Sequence, residues 1–337
     1  MTTDSNAFQI PLIDFSKYLS GTAEERKACV EAIMKGFTSS GFLYLENSGL
    51  SPSSAFDWSA KFFDLPLEIK SKHPNTNFAA NRGYSGMGKE KVTNLDLDSK
   101  DENAIEQLRA MVPDMKESLE IGSDAGPRYP KKPWQNHYPD DSLPGFGKAV
   151  SSFYEQCDDL HLQILSAIAE GLGLEPGFFK PYVSGGDHCL RLLHYPTVPK
   201  AVLDKAPAVR AGSHTDYGTV TLLFQDMSGG LQVKNPDGSW LDVPPKEGAI
   251  VVNAGDMLQI WTNDVIKSTH HRVVSPPNAP TTEDGCYSAR YSIAFFAHPD
   301  HEKLVEVIQN CVTDTRPQKY APTLPGDWMM KRLAATY

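Results

Sequence analysis

The feature that most constrains this fold is a change in hydrophobic period near residue 187. From there to residue 298, short stretches alternate apolar with polar residues or are continuously apolar, and Gly, Pro, Asn and Asp separate them. These stretches predict strands in CLRLLHY, TVTLLFQ, GGLQVKN, AIVVNAG, MLQIWTN, HRVVS and RYSIAFFAH. Such a series predicts a double-sheet jelly roll or another closed β-architecture. NPDG at 235–238 predicts a turn between two paired strands.

The N-terminal half carries helical patterns instead. Apolar residues recur there at helical spacing, and Thr22 with Glu25 matches a capping box at the start of a helix. A last helix is expected over 323–337, at the end of the chain. We predict earlier helices at 22–41, 51–66 and about 149–172, and short strands at 10–16 and 42–47.

The chain is expected to form one unit, mainly β with surrounding helices. Residues 71–148 are rich in Pro, Gly and Asn, which predicts long ordered loops that carry substrate contacts. Within the single unit over 1–337, we predict a helical and loop region at 1–180, a jelly-roll core at 181–300 and a C-terminal extension at 301–337.

Charge and cysteine content narrow the possible partners. The chain has 32 Lys and Arg against 42 Asp and Glu, a net charge of −10, which argues against nucleic acid or an anionic membrane as partner. Five widely spaced cysteines without a CxxC pair predict reduced thiols. The N-terminus lacks a secretory signal pattern. We therefore expect a cytoplasmic protein that acts on a small molecule, and we infer no obligate protein partner.

One short motif suggests a metal site. GSHTDYGTVTLLFQ, residues 212–225, places His214 and Asp216 two residues apart before a β-forming run. In an extended segment, residues i and i+2 point to the same face, so an imidazole and a carboxylate can converge. On its own, H-x-D is also typical of a surface turn.

Two later motifs favour the metal site. NDVIKSTHHRVVS places His270 and His271 before another strand, and ARYSIAFF places Arg290 and Ser292 two residues apart. Two histidines and one carboxylate suit non-haem Fe(II), because they leave adjacent positions open for an organic ligand and dioxygen. An arginine inside an apolar strand needs an anionic partner.

These motifs, in this order and spacing, resemble the Fe(II)- and 2-oxoglutarate-dependent dioxygenases of the isopenicillin N synthase-like branch. The resemblance implies a jelly-roll enzyme with Fe(II) as cofactor and with 2-oxoglutarate and O2 as cosubstrates, which releases succinate and CO2. Ser48 departs from the family pattern, since many relatives have histidine there. The similar segments are IPLIDFS, GFLYLENSG, FFDLPLEIK, RGYSGMG, LRLLHYP, HTDYGTVTLL, GGLQV, VVNAGDMLQIWTN, KSTHHRV and RYSIAFF.

The resemblance also assigns roles to particular residues. His271 is preferred over His270 because it directly precedes RV and because adjacent strand residues face opposite sides. Arg290 would bind the distal carboxylate of 2-oxoglutarate through a bidentate contact, helped by the hydroxyl groups of Ser292 and Tyr195. The implied iron ligands are His214, Asp216 and His271.

Within the family, the segments ANRGYS, LRLLHYP, HTDYG, NDVIKST and RLAATY are most similar to fungal thymine 7-hydroxylases. That similarity implies oxidation of a methyl group on a small planar ring, with thymine as first choice. Its implied substrate contacts are Asn81, Arg191, Tyr217 and Phe296. From the residues alone, a structural ion pair fits Arg191 equally well. Leu190, Leu192, Leu223, Ile260 and Trp261 are candidates for apolar walls beside the site, and a place in the ordinary jelly-roll core fits each of them at least as well.

Three alternatives stay open at this point. Fungal relatives in secondary metabolism include enzymes that hydroxylate or ring-expand cyclic dienones toward tropolones, and an arginine and a tyrosine suit such a ring as well. A jelly-roll module that binds a ligand without turnover is a second alternative. An oxidase that uses no 2-oxoglutarate is a third, since some members of the branch share R-x-S and differ in cosubstrate.

Overall fold

A computed structural model describes residues 8, 10–75, 81–89, 115–124, 134–200, 210–275 and 281–336, the side chains of 333–336 excepted. Much of the predicted loop region at 71–148 lies outside the described residues. The helices are α1 (Ser16–Ser20), α2 (Ala23–Ser39), α3 (Ser53–Phe63), α4 (Leu67–Lys70), α5 (Phe146–Gly171), α6 (Lys180–Val183), α7 (Asp256–Trp261) and α8 (Pro325–Thr336), with a 3-10 turn at Gln309–Cys311.

The strands cover both halves of the chain. The first half contributes β1 (Leu12–Asp14), β2 (Phe42–Glu46), β3 (Gly83–Ser85) and β4 (Glu117–Ile121). The second half contributes β5 (Cys189–Tyr195), β6 (Val198–Pro199), β7 (Ala211–His214), β8 (Val220–Gln225), β9 (Leu231–Lys234), β10 (Trp240–Asp242), β11 (Ala249–Ala254), β12 (His271–Val273), β13 (Cys286–Tyr287) and β14 (Arg290–Phe296).

Two sheets face each other across the core. The major sheet has eight strands in the order β1-β2-β11-β8-β14-β5-β4-β3, and the minor sheet has four in the order β10-β9-β12-β7. Only the β1–β2 pair is parallel among the pairs of the described strands. Buried apolar residues of both sheets pack in one cluster. This arrangement confirms the predicted jelly roll with surrounding helices.

Strand alternation gives the major sheet two different faces. On β5, Leu190 and Leu192 point away from the minor sheet and join the large apolar cluster that contains helices α2 and α5. On β14, Ile293 and Phe295 do the same. The intervening residues of both strands face the minor sheet. The helices therefore cover one side of the sheet, and the functional cavity lies on the other.

The expected N-terminal helices are present. Thr22 caps α2: its hydroxyl accepts a hydrogen bond from Glu25 N–H at 3.2 Å, and its own N–H donates to the Glu25 carboxylate at 2.9 Å. The long helix α5 buries its apolar stripe, including Phe153, Cys157 and Leu160. These contacts confirm the predicted capping box and the predicted burial of the helix.

One predicted strand is wrong. MLQIWTN covers residues 257–263, and its first five residues lie in helix α7, not in a strand. Short apolar runs do not distinguish a strand from a buried helix, and here tertiary contacts decide. The backbone N–H groups of Asp256 and Met257 donate to the carbonyls of Asp216 and Gly218, which start the helix against the neighbouring loop.

Other predictions hold. The NPDG turn joins the antiparallel strands β9 and β10, and Gly238 adopts the positive φ of 88° that this turn requires. All five cysteines are free. The C-terminal helix is present as α8. No helix in the described part of the chain is both long enough and apolar enough to span a membrane.

The capping box yields a stability prediction. Thr22→Ala should lower the free energy of unfolding by about 1 kcal/mol, because the Glu25 N–H loses its acceptor. Thr38→Ala makes the same change inside α2, where alanine is the better helix former, and should leave stability equal or slightly higher. Urea unfolding followed by circular dichroism measures both. Equal losses in the two variants would contradict a specific role for the cap.

Candidate active site

Three donor atoms converge between the two sheets. His214, the last residue of β7, lies directly across the minor sheet from His271, the first residue of β12. Their Nε2 atoms lie 3.9 and 3.6 Å from Oδ1 of Asp216. Asp216 itself follows β7 in a loop. Its carboxylate nevertheless converges with the imidazole two residues earlier, as the sequence predicted.

Hydrogen bonds fix the orientation of both imidazoles. Nδ1 of His214 lies 2.8 Å from the carbonyl oxygen of Gly212, and Nδ1 of His271 lies 3.2 Å from that of Thr269. A carbonyl oxygen only accepts, so each Nδ1–H donates and each Nε2 is the ring nitrogen left to face Asp216. Metal-binding histidines are commonly held in this way.

The carboxylate of Asp216 is held on its other oxygen. Oδ2 accepts hydrogen bonds from the Thr221 hydroxyl and the Asn253 amide, both at 2.6 Å. Burial opposes its ionisation, but His271 and His214 together with these two hydrogen bonds hold the pKa of Asp216 below its usual value. The carboxylate is therefore ionised, with Oδ1 directed toward the two Nε2 atoms.

His214 is neutral at physiological pH. Burial, followed by the nearby His271, lowers the pKa of His214 to about 3. A neutral imidazole beside an ionised carboxylate is the protonation state that a divalent metal requires. The donor set, its convergence and its protonation therefore fit an Fe(II) ion with open positions.

A second buried cluster, Asp158, His161 and His188, also brings three ligating side chains together. Nδ1 of His188 accepts the backbone N–H of His298 at 3.0 Å, so its Nε2 carries a proton and faces Asp158 at 3.2 Å. His161 lies 3.4 Å from the same carboxylate oxygen. This cluster is an internal polar network that joins α5 to the start of β5, and it lies outside the cavity of the first cluster.

Arg290 is buried beside the three donor atoms. Its guanidinium donates to the carbonyl of Gly229 at 2.9 Å, to the Ser292 hydroxyl at 3.1 Å and to Gln225 Oε1 at 3.2 Å. The Tyr195 ring lies 4.9 Å from its central carbon. No carboxylate of the described residues pairs with it. Because an arginine has five N–H donors, this buried cation has donors left for an anionic ligand.

One cavity collects most of the predicted site residues. Lys116, Asn253 and Thr221, which the sequence did not single out, also line it. The predicted residues that line it are His214, Asp216, His271, Arg290, Ser292, Tyr195, Arg191 and Phe296.

The four predicted substrate residues differ in their surroundings. Arg191 lies 5.6 Å from the Phe296 ring centre and pairs with buried Glu120 at 2.9 Å. Asn81 has a positive φ of 45° and donates to Cys189, the strand partner of Phe296. Tyr217 is not a lining residue of that cavity; its ring lies 4.6 Å from the guanidinium carbon of Arg332. Arg191 and Phe296 therefore face the cavity directly.

Most of the predicted apolar walls are wrong. Leu223 lines the cavity, but Leu190 and Leu192 lie on the helix-covered face of the major sheet. Ile260 and Trp261 belong to α7 and pack in the same helical core. The walls come instead from Leu193, Leu231, Val273, Ala211 and Ala294.

The residues missed by sequence reasoning carry weak signals. Asn253 is a buried polar residue inside the apolar run AIVVNAG. A polar residue in such a run is visible in the sequence, and it typically forms a hydrogen bond to another buried group. The sequence gives no signal for Thr221, because threonine is common in strands. Glu120 and Arg191 are paired only by the register of β4 on β5.

The fold and this donor set define a non-haem iron dioxygenase. Residues 186–299 match the model of the 2OG-Fe(II) oxygenase superfamily, and residues 10–144 match that of the N-terminal region of non-haem dioxygenases in morphine synthesis. The chain belongs to the 2OG-Fe(II) oxygenase superfamily. It is therefore an enzyme that uses Fe(II) and 2-oxoglutarate.

The similar proteins include several fungal enzymes. Thymine 7-hydroxylase of Neurospora crassa, solved with α-ketoglutarate and thymine, is 45% identical, with 99% of each chain covered and a TM-score of 0.84. A 2-oxoglutarate-dependent dioxygenase of a Dothideomycetidae species is 36% identical over 97% of each chain. A proline hydroxylase of Petromyces alliaceus is 34% identical, over 98% of this chain and 100% of its own.

The adjacent histidines provide a matched test of the metal ligands. His271→Ala should lower Fe(II) affinity by at least about tenfold, because it removes one of three donor atoms. His270→Ala should leave Fe(II) affinity unchanged, because its side chain lies outside the cluster. Anaerobic Fe(II) titration measures both, with thermal unfolding as the control for folding. Loss of iron in His270→Ala alone would overturn the ligand assignment.

Proposed function

We propose that this dioxygenase oxidises a C–H bond of a methyl group on a small planar cyclic substrate, with thymine as first candidate. The observation that carries the proposal is the shared cavity, in which Arg191 and Phe296 face the same space as the His-Asp-His cluster and Arg290. A flat ring with a carbonyl group fits such a pair, because an aromatic face can stack and a guanidinium can donate.

In this proposal the metal is held by His214, Asp216 and His271. Three adjacent coordination positions then stay open on the cavity side. When bound, iron with 2-oxoglutarate and O2 supplies the oxidant that removes the hydrogen, and succinate and CO2 leave as coproducts. Thr221 and Asn253 keep the Asp216 carboxylate oriented, so that one oxygen remains directed toward the metal position.

Arg290 and its neighbours would bind 2-oxoglutarate. The remaining guanidinium donors suit the distal carboxylate of that dicarboxylic acid, and the Ser292 hydroxyl lies beside them at 3.1 Å. Tyr195 pairs with Arg290 in the register of β5 and β14, which supports a contribution from its hydroxyl group. Gln225 and Gly229 hold the guanidinium on its far side.

The substrate would be oriented by the wall opposite the metal ligands. Arg191 donates to a ring carbonyl, Phe296 stacks on the ring, and Asn81 and Tyr217 add polar contacts at the margin. Leu193, Leu223 and Val273 exclude water from the reacting methyl group. Holding one C–H bond close to the oxidant is the chief task of such a pocket, because position selects the atom that reacts.

A second substrate class fits the same wall. Arg191 donates equally well to the carbonyl of a methylated cyclic dienone, and the fungal relatives include dioxygenases other than thymine hydroxylase. In that case the methyl group still loses hydrogen, and the ring expands toward a tropolone.

Arg290 should control 2-oxoglutarate more than the prime substrate. Arg290→Ala should raise the apparent KM for 2-oxoglutarate by about tenfold or more, because a charge-assisted bidentate contact is lost. Ser292→Ala, which removes a single neutral hydroxyl, should have a smaller effect. Steady-state kinetics with each substrate varied in turn measures the change. An equal rise in KM for the prime substrate would mean that Arg290 has another role.

The substrate is tested by an anaerobic spectral titration. Fe(II) and 2-oxoglutarate should together produce a weak visible charge-transfer band, and thymine should perturb it. A separate aerobic assay with uracil, which lacks the methyl group, tests whether turnover needs that group. Methylated cyclic dienones and phenols form the comparison panel. A response to a dienone alone would replace thymine by the second class, and a response to none would reject both.

A further inference from the structure

The C-terminal helix α8 contacts the segment that joins two of the proposed metal ligands. Arg332 Nη2 donates to the Thr215 carbonyl at 3.2 Å and to the Thr215 hydroxyl at 3.0 Å. Its guanidinium carbon lies 4.6 Å from the centre of the Tyr217 ring. Thr215 stands between His214 and Asp216, and Tyr217 follows directly. One side chain of α8 therefore contacts both neighbours of Asp216.

The same arginine is tied to the other ligand-bearing segment through Asp256. Arg332 Nη1 lies 3.2 Å from Asp256 Oδ2. The other oxygen, Oδ1, accepts the Ser268 hydroxyl at 2.8 Å, three residues before His271. The backbone N–H of Asp256 also donates to the carbonyl of Asp216 at 2.8 Å. Asp256 is thus a junction between α7, α8 and both segments that carry ligands.

The ion pair is well shielded from solvent. The side chains of Arg332 and Asp256 are 12% and 11% exposed, so water screens their attraction less than it screens a surface pair. A guanidinium can pair with a carboxylate, donate to a carbonyl and stack on a ring at once, because its donors lie in one plane. A lysine in this position cannot make all three contacts.

The loop that Arg332 contacts is confined on its opposite side by close backbone packing. A Cβ on Gly218 would lie 1.9 Å from the carbonyl oxygen of Ala297, and one on Gly255 would lie 2.5 Å from that of Gly218. The loop therefore rests against the end of β14 and the start of α7. Arg332 holds the Thr215 and Tyr217 side of this loop.

We propose that Arg332 is a positioning residue of the active site, through which a seated α8 holds Thr215 and Tyr217 in the arrangement needed for the prime substrate. The proposal rests on the proposed function in taking Tyr217 as a substrate contact. The donor atoms themselves have separate supports in Gly212, Thr221 and Asn253. Arg332 therefore governs the use of substrate more than the binding of iron.

The first test needs no substrate. In the metal-free protein, Arg332→Gln should speed amide hydrogen exchange across residues 211–219 by about tenfold, since local opening becomes easier. Lys331→Ala removes the neighbouring exposed cation of the same helix and should leave that exchange unchanged. Exchange across β5 should be equal in both variants and in the parent, which separates a local effect from general loss of stability. Equal exchange at 211–219 in the two variants would overturn the proposal.

The second test separates positioning from a purely structural role. With Fe(II) and 2-oxoglutarate, Arg332→Gln should keep the charge-transfer band, with affinities within about twofold, but raise the KM for thymine about tenfold and increase succinate formed per oxidised product. Equal loss of iron, 2-oxoglutarate and thymine binding would mean that Arg332 only stabilises the fold. Unchanged thymine KM and unchanged coupling would also overturn the proposal.

A more conservative variant can be used if Arg332→Gln does not fold. If Arg332→Gln lowers the unfolding temperature too far, Arg332→Lys keeps the charge opposite Asp256 but loses the stacking and one contact to Thr215, and the same exchange measurement applies. If the parent protein does not oxidise thymine, the substrate assignment fails. The exchange at 211–219 still decides whether Arg332 holds the loop.

Discussion

Asp216 is ionised and buried, and it accepts hydrogen bonds from Thr221 and Asn253 on one oxygen while the imidazoles of His214 and His271 face the other. A buried carboxylate is costly unless it is fully paired. Its partners come from β8, β11 and the two strands of the minor sheet that carry the histidines. The site therefore forms only if the two sheets pack against each other in the correct position. It depends on the jelly-roll core as a whole.

The two faces of the major sheet explain why the helices that pack on this sheet do not reach the cavity. Residues such as Leu192 and Phe295 pack against the helices, while Arg191 and Ser292, one or three positions away, face the metal ligands. The helices thus hold the strands in place from the face of the major sheet opposite to the cavity. A change in the helical core would act on the cavity through strand position, and not through direct contact.

Sequence reasoning found the parts of this structure that depend on local period and on motif spacing. The longer strands of the jelly roll, the capping box at Thr22 and the donor residues were predictable, whereas the strands β3, β4, β6, β7 and β13 were not. It failed where three-dimensional contacts decide. The apolar run at 256–261 became a helix because carbonyls of the adjacent loop accept its first N–H groups. Leu190 was placed on the wrong face, and the Glu120–Arg191 pair depends on a strand register that spacing does not encode.

The ion pair between Arg191 and Glu120 has a consequence for the kind of molecule this cavity accepts. The guanidinium that faces the cavity is already electrically matched by a fully buried carboxylate, whose other hydrogen bonds include the Ser118 hydroxyl at 2.7 Å. Arg191 can therefore offer directional N–H donors to a ligand, but most of its positive charge is balanced by Glu120. An acidic group placed at Arg191 would therefore gain less electrostatic attraction than it would at an arginine without a buried carboxylate partner.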